Sequence, residues 1–431
     1  MMRMTKKNRI LAAVLLTLAV LAAIAVGSSS GKKDVSIRRI PVDLNQTLTN
    51  EISDTSVLDG FDRHVKDYMT FWGLKGVSLS VMRNDSLLFS KGYGLADNKV
   101  PMKPGNILRM ASVSKLITAV GIMILQERGQ LTLKDQVFGP GGILDDSLFN
   151  AAIADSLYMK ITVEDLLRHK GGFSKKGGDP MFATRSLMIQ NRWKEVPTKE
   201  QLTVVQLSRP LQFEPGTWQD YSNYGYLALS MVIEKVTGMP YEDFIQENVL
   251  YPSGCVNFKI AGNYYADKYP DEVRYFVQKD DEPVDEFNNS GRKVTRSYGG
   301  NNVTGLSGAG AWVGSTPELA LLVASIDGKP EVPDIISKES VDAMTEYFDP
   351  ETFSLGWNDT KPTGEWTRTG TFAGTSALVK YFPDGECWVF IANTSTYKGP
   401  GLAKFTTELF DKLRASYSSK FPLRNLFYGE D

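Results

Sequence analysis

The chain has 431 residues, enough for one large domain or two intimately joined ones. Hydrophobic residues make up 42% and charged residues 23%, an ordinary globular balance with ample material for a core. The formal charge is −2, and no stretch gathers basic residues with interleaved aromatics, so the composition argues against a nucleic-acid partner.

The N-terminus carries an address. Arg3, Lys6, Lys7 and Arg9 precede Ile10–Val26, 17 residues that are apolar except for Thr17. This pattern predicts an export signal or a membrane anchor over residues 1–26 and an extracytoplasmic protein, periplasmic or secreted. Ala23-Ile24-Ala25 offers a small-residue cleavage site, and retention as a membrane tether through residues 10–26 is the alternative. Residues 27–52 read as a linker. Gly27-Ser28-Ser29-Ser30-Gly31 matches a hydrolase elbow formally, but it follows an export segment and precedes two lysines, so it is read as linker.

Downstream, Leu58, Phe61, Val65, Tyr68, Met69 and Trp72 recur at helical spacing and predict a helix over 57–72, with His64 on its surface. Val77–Val81 and Leu87–Phe89 read as strands around a turn at 83–86. From about 109 to 240 the pattern is mostly helical. It includes a helix from Ser112 to Arg128, a capping box at Thr162–Asp165, and a helix from Tyr224 to Thr237 closed by Gly238. Residues 260–305 are polar, aromatic and turn-rich, and are expected to form irregular loop, either shaping a cleft or simply solvated. Thr316-Pro317-Glu318 opens another helix, with threonine as its cap. Segments 366–371, 377–382 and 387–393 read as strands, followed by a helix carrying Leu402, Phe405, Leu409 and Leu413. The expected fold class is α+β: one antiparallel sheet drawn from both chain ends and flanked by helices, with a mostly helical insertion. Its domain is placed at 53–415, with a C-terminal tail at 416–431. Cys255 and Cys387 sit in apolar settings and are expected to be separate buried thiols. Together with His64 and His169 they do not make a closed metal site, so no metal is expected.

Ser112-Val113-Ser114-Lys115 is the chemical focus. Serine needs a base, and Ser-x-x-Lys puts an amine three residues on, on the same helical face. Burial beside Leu116 and Ile117 would lower the Lys115 pKa, and a helix N-terminus would favour the alkoxide. Tyr221-Ser222-Asn223 adds a phenol that can share proton transfer and an amide that can grip a substrate amide. Arg368-Thr369-Gly370 adds a cation, a hydroxyl and a glycine permitting close backbone approach.

These elements, in this order, resemble those of the class C β-lactamases, penicillin-binding DD-peptidases and related serine esterases. Further matches are Leu108-Arg109-Met110-Ala111, Asp165-Leu166-Leu167-Arg168-His169, Phe213–Trp218, Gly308–Trp312, Leu355-Gly356-Trp357 and Tyr381–Asp384. The resemblance covers about 55–415 and implies a β-lactamase/DD-peptidase-like fold. Ser112 would form an acyl-enzyme, and Lys115 and Tyr221 would move protons. Asn223, Arg368, Thr369 and Gly370 would bind substrate, and the N–H groups of Ser112 and Thr371 would form the oxyanion hole. No cofactor is implied, and His169 is structural. Arg368 departs from the usual Lys or His, and Gly171 from a common serine. Arginine can hold a carboxylate but cannot lend a proton. The expected substrate is a small-molecule or peptide ester or amide, with esterase or peptidase ahead of β-lactamase. The rival is a silent, tethered binding protein using the same cleft.

Overall fold

The computed structural model describes residues 41–173, 178–278, 282–349 and 352–429. The apolar segment 10–26 and the Gly27–Gly31 run lie outside the described residues.

The first long helix, α1 (Asp59–Trp72), follows a short turn at Ser56–Leu58 and ends at Gly73, which takes the left-handed conformation at φ 66°. Its Phe61, Val65, Met69 and Trp72 are buried on one face. Each such side chain contributes about 1.5–3 kcal/mol when removed from water. Strand β1 (Gly76–Arg83) turns into β2 (Ser86–Asp97) through Asn84 and Asp85, both at positive φ as a two-residue hairpin of this hand requires. A short β3 (Val100–Pro101) follows. Helix α2 (Ser114–Glu127) is buried from Ser114 through Leu125, the signature of a core helix apolar all round. Helices α3 (Asn223–Thr237) and α4 (Thr316–Ala324) pack in the same core. The last third supplies β4 (Asp359–Thr360), β5 (Trp366–Phe372), β6 (Thr375–Tyr381), β7 (Glu386–Ala392) and α5 (Leu402–Tyr417).

These strands form one seven-stranded antiparallel sheet in the order β4-β5-β6-β7-β1-β2-β3. Val77 pairs with Ala392 and Arg83 with Glu386, so the two ends of the chain meet at the centre of the sheet. Alternation sorts the faces: Val77, Leu79, Val81, Leu378, Trp388 and Phe390 pack with α1 and α5. Ala377, Val379, Val389 and Ile391 pack with α2 and α4.

Three boundaries differ from the sequence reading. Leu44 and Leu48 join the core together with Leu426 and Phe427, and the Val42 N–H donates to the Phe427 carbonyl at 3.0 Å. The compact unit therefore extends past 53–415 at both ends. The cap of α4 is Ser315, not Thr316, because the Thr316 hydroxyl is drawn across to Ser78 and Ser80 on β1. Residues 260–305 carry two-residue strands. Phe276–Val277 pairs in parallel with Thr394–Ser395, and Lys259–Ile260 extends a small sheet through Trp312–Gly314 to Leu108–Arg109. Cys255 and Cys387 are both free and buried, and burial raises both thiol pKa values. Among the described residues, no helix is long and apolar enough to cross a membrane, and no group of His, Cys, Asp and Glu side chains could hold a metal.

Candidate active site

The chain reaches Ser112 through a strained turn. Ala111 takes φ 48°, a left-handed conformation that costs a side-chain-bearing residue roughly 1–2 kcal/mol. A short 3₁₀ turn (Ala111–Val113) then runs into α2, so Ser112 sits at the helix entrance, half-buried. β5 presses against this turn. A Cβ on Gly370 would lie 2.1 Å from the Met110 carbonyl oxygen and 3.1 Å from the Ser112 nitrogen, so only glycine fits there.

Ser112 Oγ accepts hydrogen bonds from the Tyr221 hydroxyl at 2.7 Å and from Lys115 Nζ at 3.2 Å. Lys115 Nζ also donates to Asn223 Oδ1 at 2.9 Å and to the Ala309 carbonyl, supplied by the Gly308–Trp312 run. Its side chain is fully buried, and it lies 4.9 Å from the Tyr221 ring centre. Burial holds the Lys115 pKa below the ordinary lysine value, and the Arg368 cation adds to this against the pull of Tyr221. Burial alone would raise the Tyr221 pKa. The Lys115 and Arg368 cations and the hydrogen bonds shared with Lys115 and Ser112 outweigh it, and the phenol falls below its ordinary value. Ser112 is thus flanked by two groups whose proton affinities both lie below their ordinary values.

Arg368 does not face the cleft. It is wholly buried, and its Nε and Nη2 both donate to the Ser112 carbonyl oxygen, at 2.8 and 2.6 Å. The reason is the parity of β5: Trp366, Arg368 and Gly370 share the inward face, and Thr367, Thr369 and Thr371 the outward one. The expectation that Arg368 grips a substrate carboxylate gives way to a guanidinium clamped on the backbone of the nucleophile. Thr369 is half-buried, with its N–H and hydroxyl both donating to Asn358 Oδ1. Because the Thr369 N–H points off the outer edge of β5, the Thr371 N–H two residues on points off the same edge. Asn223 is held at both ends: Oδ1 accepts from Lys115, and Nδ2 donates to Asp179 Oδ2 at 2.8 Å.

His169 is buried at φ 58°, its Nδ1 accepts the Ser222 N–H, and its ring lies 4.3 Å from that of Tyr221. It therefore supports Tyr221 from behind. Arg109, from the Leu108–Ala111 run, and two residues outside any motif, Asp179 and Phe182, complete the surroundings. Arg109 donates to the carbonyls of Ser297 and Gly262 and stacks 4.3 Å from the Tyr275 ring centre, tying the 260–305 segment to the strand that leads into Ser112. Asp179 caps a short turn (Pro180–Phe182), accepting the Met181 N–H at 3.0 Å, and the Phe182 ring meets that of Phe372 on β5 at 6.0 Å. Asp-Pro signals a capped turn in sequence, but nothing in that signal places the turn over the nucleophile.

The family described as Beta-lactamase matches residues 61–409. Penicillin-binding protein 4* of Bacillus subtilis is 28% identical over 190 residues, 43% of this chain and 38% of that protein. Esterase EstB of Burkholderia gladioli is 28% identical over 186 residues, 42% of this chain and 46% of that one. The chain thus spans less than half the length of either relative. The solved structure of D-amino acid amidase from Ochrobactrum anthropi SV3 with D-phenylalanine superposes with a TM-score of 0.64 at 19% identity. It covers 85% of this chain and all of that one, which shows the shared fold. The family match over 61–409 runs through both the sheet and the Ser112 site, so the chain belongs to the beta-lactamase family of serine hydrolases.

Proposed function

We propose that this chain is an extracytoplasmic hydrolase of esters or amides acting through an acyl-enzyme on Ser112. The observation that carries the reading is the position of Ser112 Oγ, within hydrogen-bond reach of both Tyr221 and a buried Lys115. Ser112 Oγ bonds to the substrate carbonyl carbon as its proton passes into the Lys115–Tyr221 pair. The N–H groups of Ser112 and Thr371 receive the oxyanion, each such donor being worth about 3–4 kcal/mol. The C–N or C–O bond then breaks as the pair returns the proton to the leaving group. Water, giving its proton to the same pair, attacks the ester and releases the acid. Asn223 holds Lys115 in place and Arg368 holds the Ser112 carbonyl. Residues 1–26 supply export, or a membrane tether if they are retained.

Support comes from the family and from relatives named as a penicillin-binding protein and an esterase. Ser112→Ala is expected to lower turnover by roughly 10⁶-fold, as other nucleophile deletions do. It should also abolish covalent labelling by a fluorophosphonate and by a fluorescent penicillin. Unchanged turnover in this variant would overturn the assignment, and a wild-type protein that neither probe labels while it still binds ligand would be a silent binder.

A further inference from the structure

Resting on the hydrolase reading of Ser112, we infer that the site selects substrates bearing a free ammonium group close to the scissile carbonyl, with Asp179 as its counter-charge. Two independent observations about charge carry this. First, the cations beside the nucleophile are not available to a substrate anion. Lys115 and Arg368 are both fully buried, and their bonds go to Ser112, Asn223 and Ala309. A substrate carboxylate would therefore find no side-chain cation among the described residues at the nucleophile.

Second, a carboxylate does reach the site. Asp179 joins the chain of contacts that runs Ser112–Lys115–Asn223–Asp179, and it is half-buried. Its oxygens accept one hydrogen bond each, from the Met181 N–H and from Asn223 Nδ2. It forms no ion pair among the described residues. An ionised carboxylate can accept about four hydrogen bonds, so Asp179 keeps capacity for a donor from a ligand. The turn it caps also carries Phe182, whose ring meets that of Phe372, so an aromatic contact joins this turn to β5. Partial exclusion of water there strengthens an ammonium–carboxylate contact. An aminoacyl amide or ester with a free α-amino group satisfies this arrangement, and an N-acylated or carboxylate-bearing analogue does not.

The test compares the wild type and Asp179→Asn on D- and L-alanine p-nitroanilide and on their N-acetyl counterparts. Protection of Ser112 from fluorophosphonate by alaninamide and by N-acetylalaninamide serves as a readout that needs no turnover. The wild type is expected to favour the free amine in kcat/KM, or in protection, by about tenfold or more, the factor of a charge-assisted hydrogen bond. That preference should decay as pH rises past about 8, where an α-amino group loses its charge. In Asp179→Asn the ratio should fall to near one. A purely structural role for Asp179 would lower both substrates together and leave the ratio unmoved. A wild-type ratio of one or below, or a ratio unchanged in the variant, overturns the inference while Ser112 still labels. A Ser112 that labels with nothing overturns the hydrolase reading, and this inference with it.

Discussion

Arg368 brings a permanent positive charge into the protein interior beneath Ser112, with one face of its guanidinium on the Ser112 carbonyl and Nη1 left without a hydrogen-bond partner. Arg368 forms no ion pair among the described residues, and burying an unpaired cation is unfavourable for stability. It lowers the proton affinity of both Lys115 and Tyr221. Arg368→Gln removes that charge, both groups hold their protons more tightly, and the acidic limb of the kcat/KM profile moves to higher pH. Arg368→Lys keeps the charge, so the limb should stay near its wild-type position, while loss of the two-point clamp lowers kcat. A pH–rate series on the three proteins separates charge from geometry.

At the scale of elements, the placement of the site depends on β5 lying directly against the turn before α2. Gly370→Ala would drive a methyl group into the Met110 carbonyl and push the strand away from Ser112. Displacements of this size at a reacting group cost on the order of 10²-fold, and steady-state kinetics alongside a thermal melt should show activity falling further than stability. Much of this layer is legible in the sequence, because the alternation of β1 and β5, the apolar runs of β6 and β7 and the helical spacing of α1 and α5 are local signals. The Ser112, Lys115, Tyr221 and Asn223 cluster is legible as ordered motifs, and the structure brings those four side chains together. What the pattern hides is set by contacts remote in sequence. Arg368 turns inward to a carbonyl 256 residues away. Asp179 meets Asn223 across 44 residues. The 260–305 segment has no period to read because Arg109 and two-residue pairings, not a repeating face, hold it.

At the scale of the molecule, several carboxyl groups are buried or half-buried and form no ion pair among the described residues. Burial and the neighbouring Asp327 charge push Asp85, in the β1–β2 turn, up to about 8. Burial takes Glu318 to about 7 and Asp334 to about 6. Unfolded, such groups titrate near 3.8 to 4.5. Between the unfolded and folded values the native state holds protons that the unfolded chain has released, so stability is greatest at the acidic end of this window and falls as pH rises. The Tm is therefore expected to drop between about pH 5 and pH 8. Asp85→Asn, which keeps the shape of the protonated acid, should flatten that drop in a pH series of thermal melts. An unchanged slope would remove Asp85 from the account.

The two thiols matter at this scale for a different reason. Cys255 and Cys387 are the chain's only cysteines, and both are enclosed with their pKa values raised. Thiolate-directed reagents need an accessible, ionisable sulfur, so the native protein presents almost no background to them. A single cysteine introduced on the exposed surface could be modified selectively without first deleting the natural pair. The wild-type core is thereby already suited to carrying a fluorophore, a spin label or a surface attachment point.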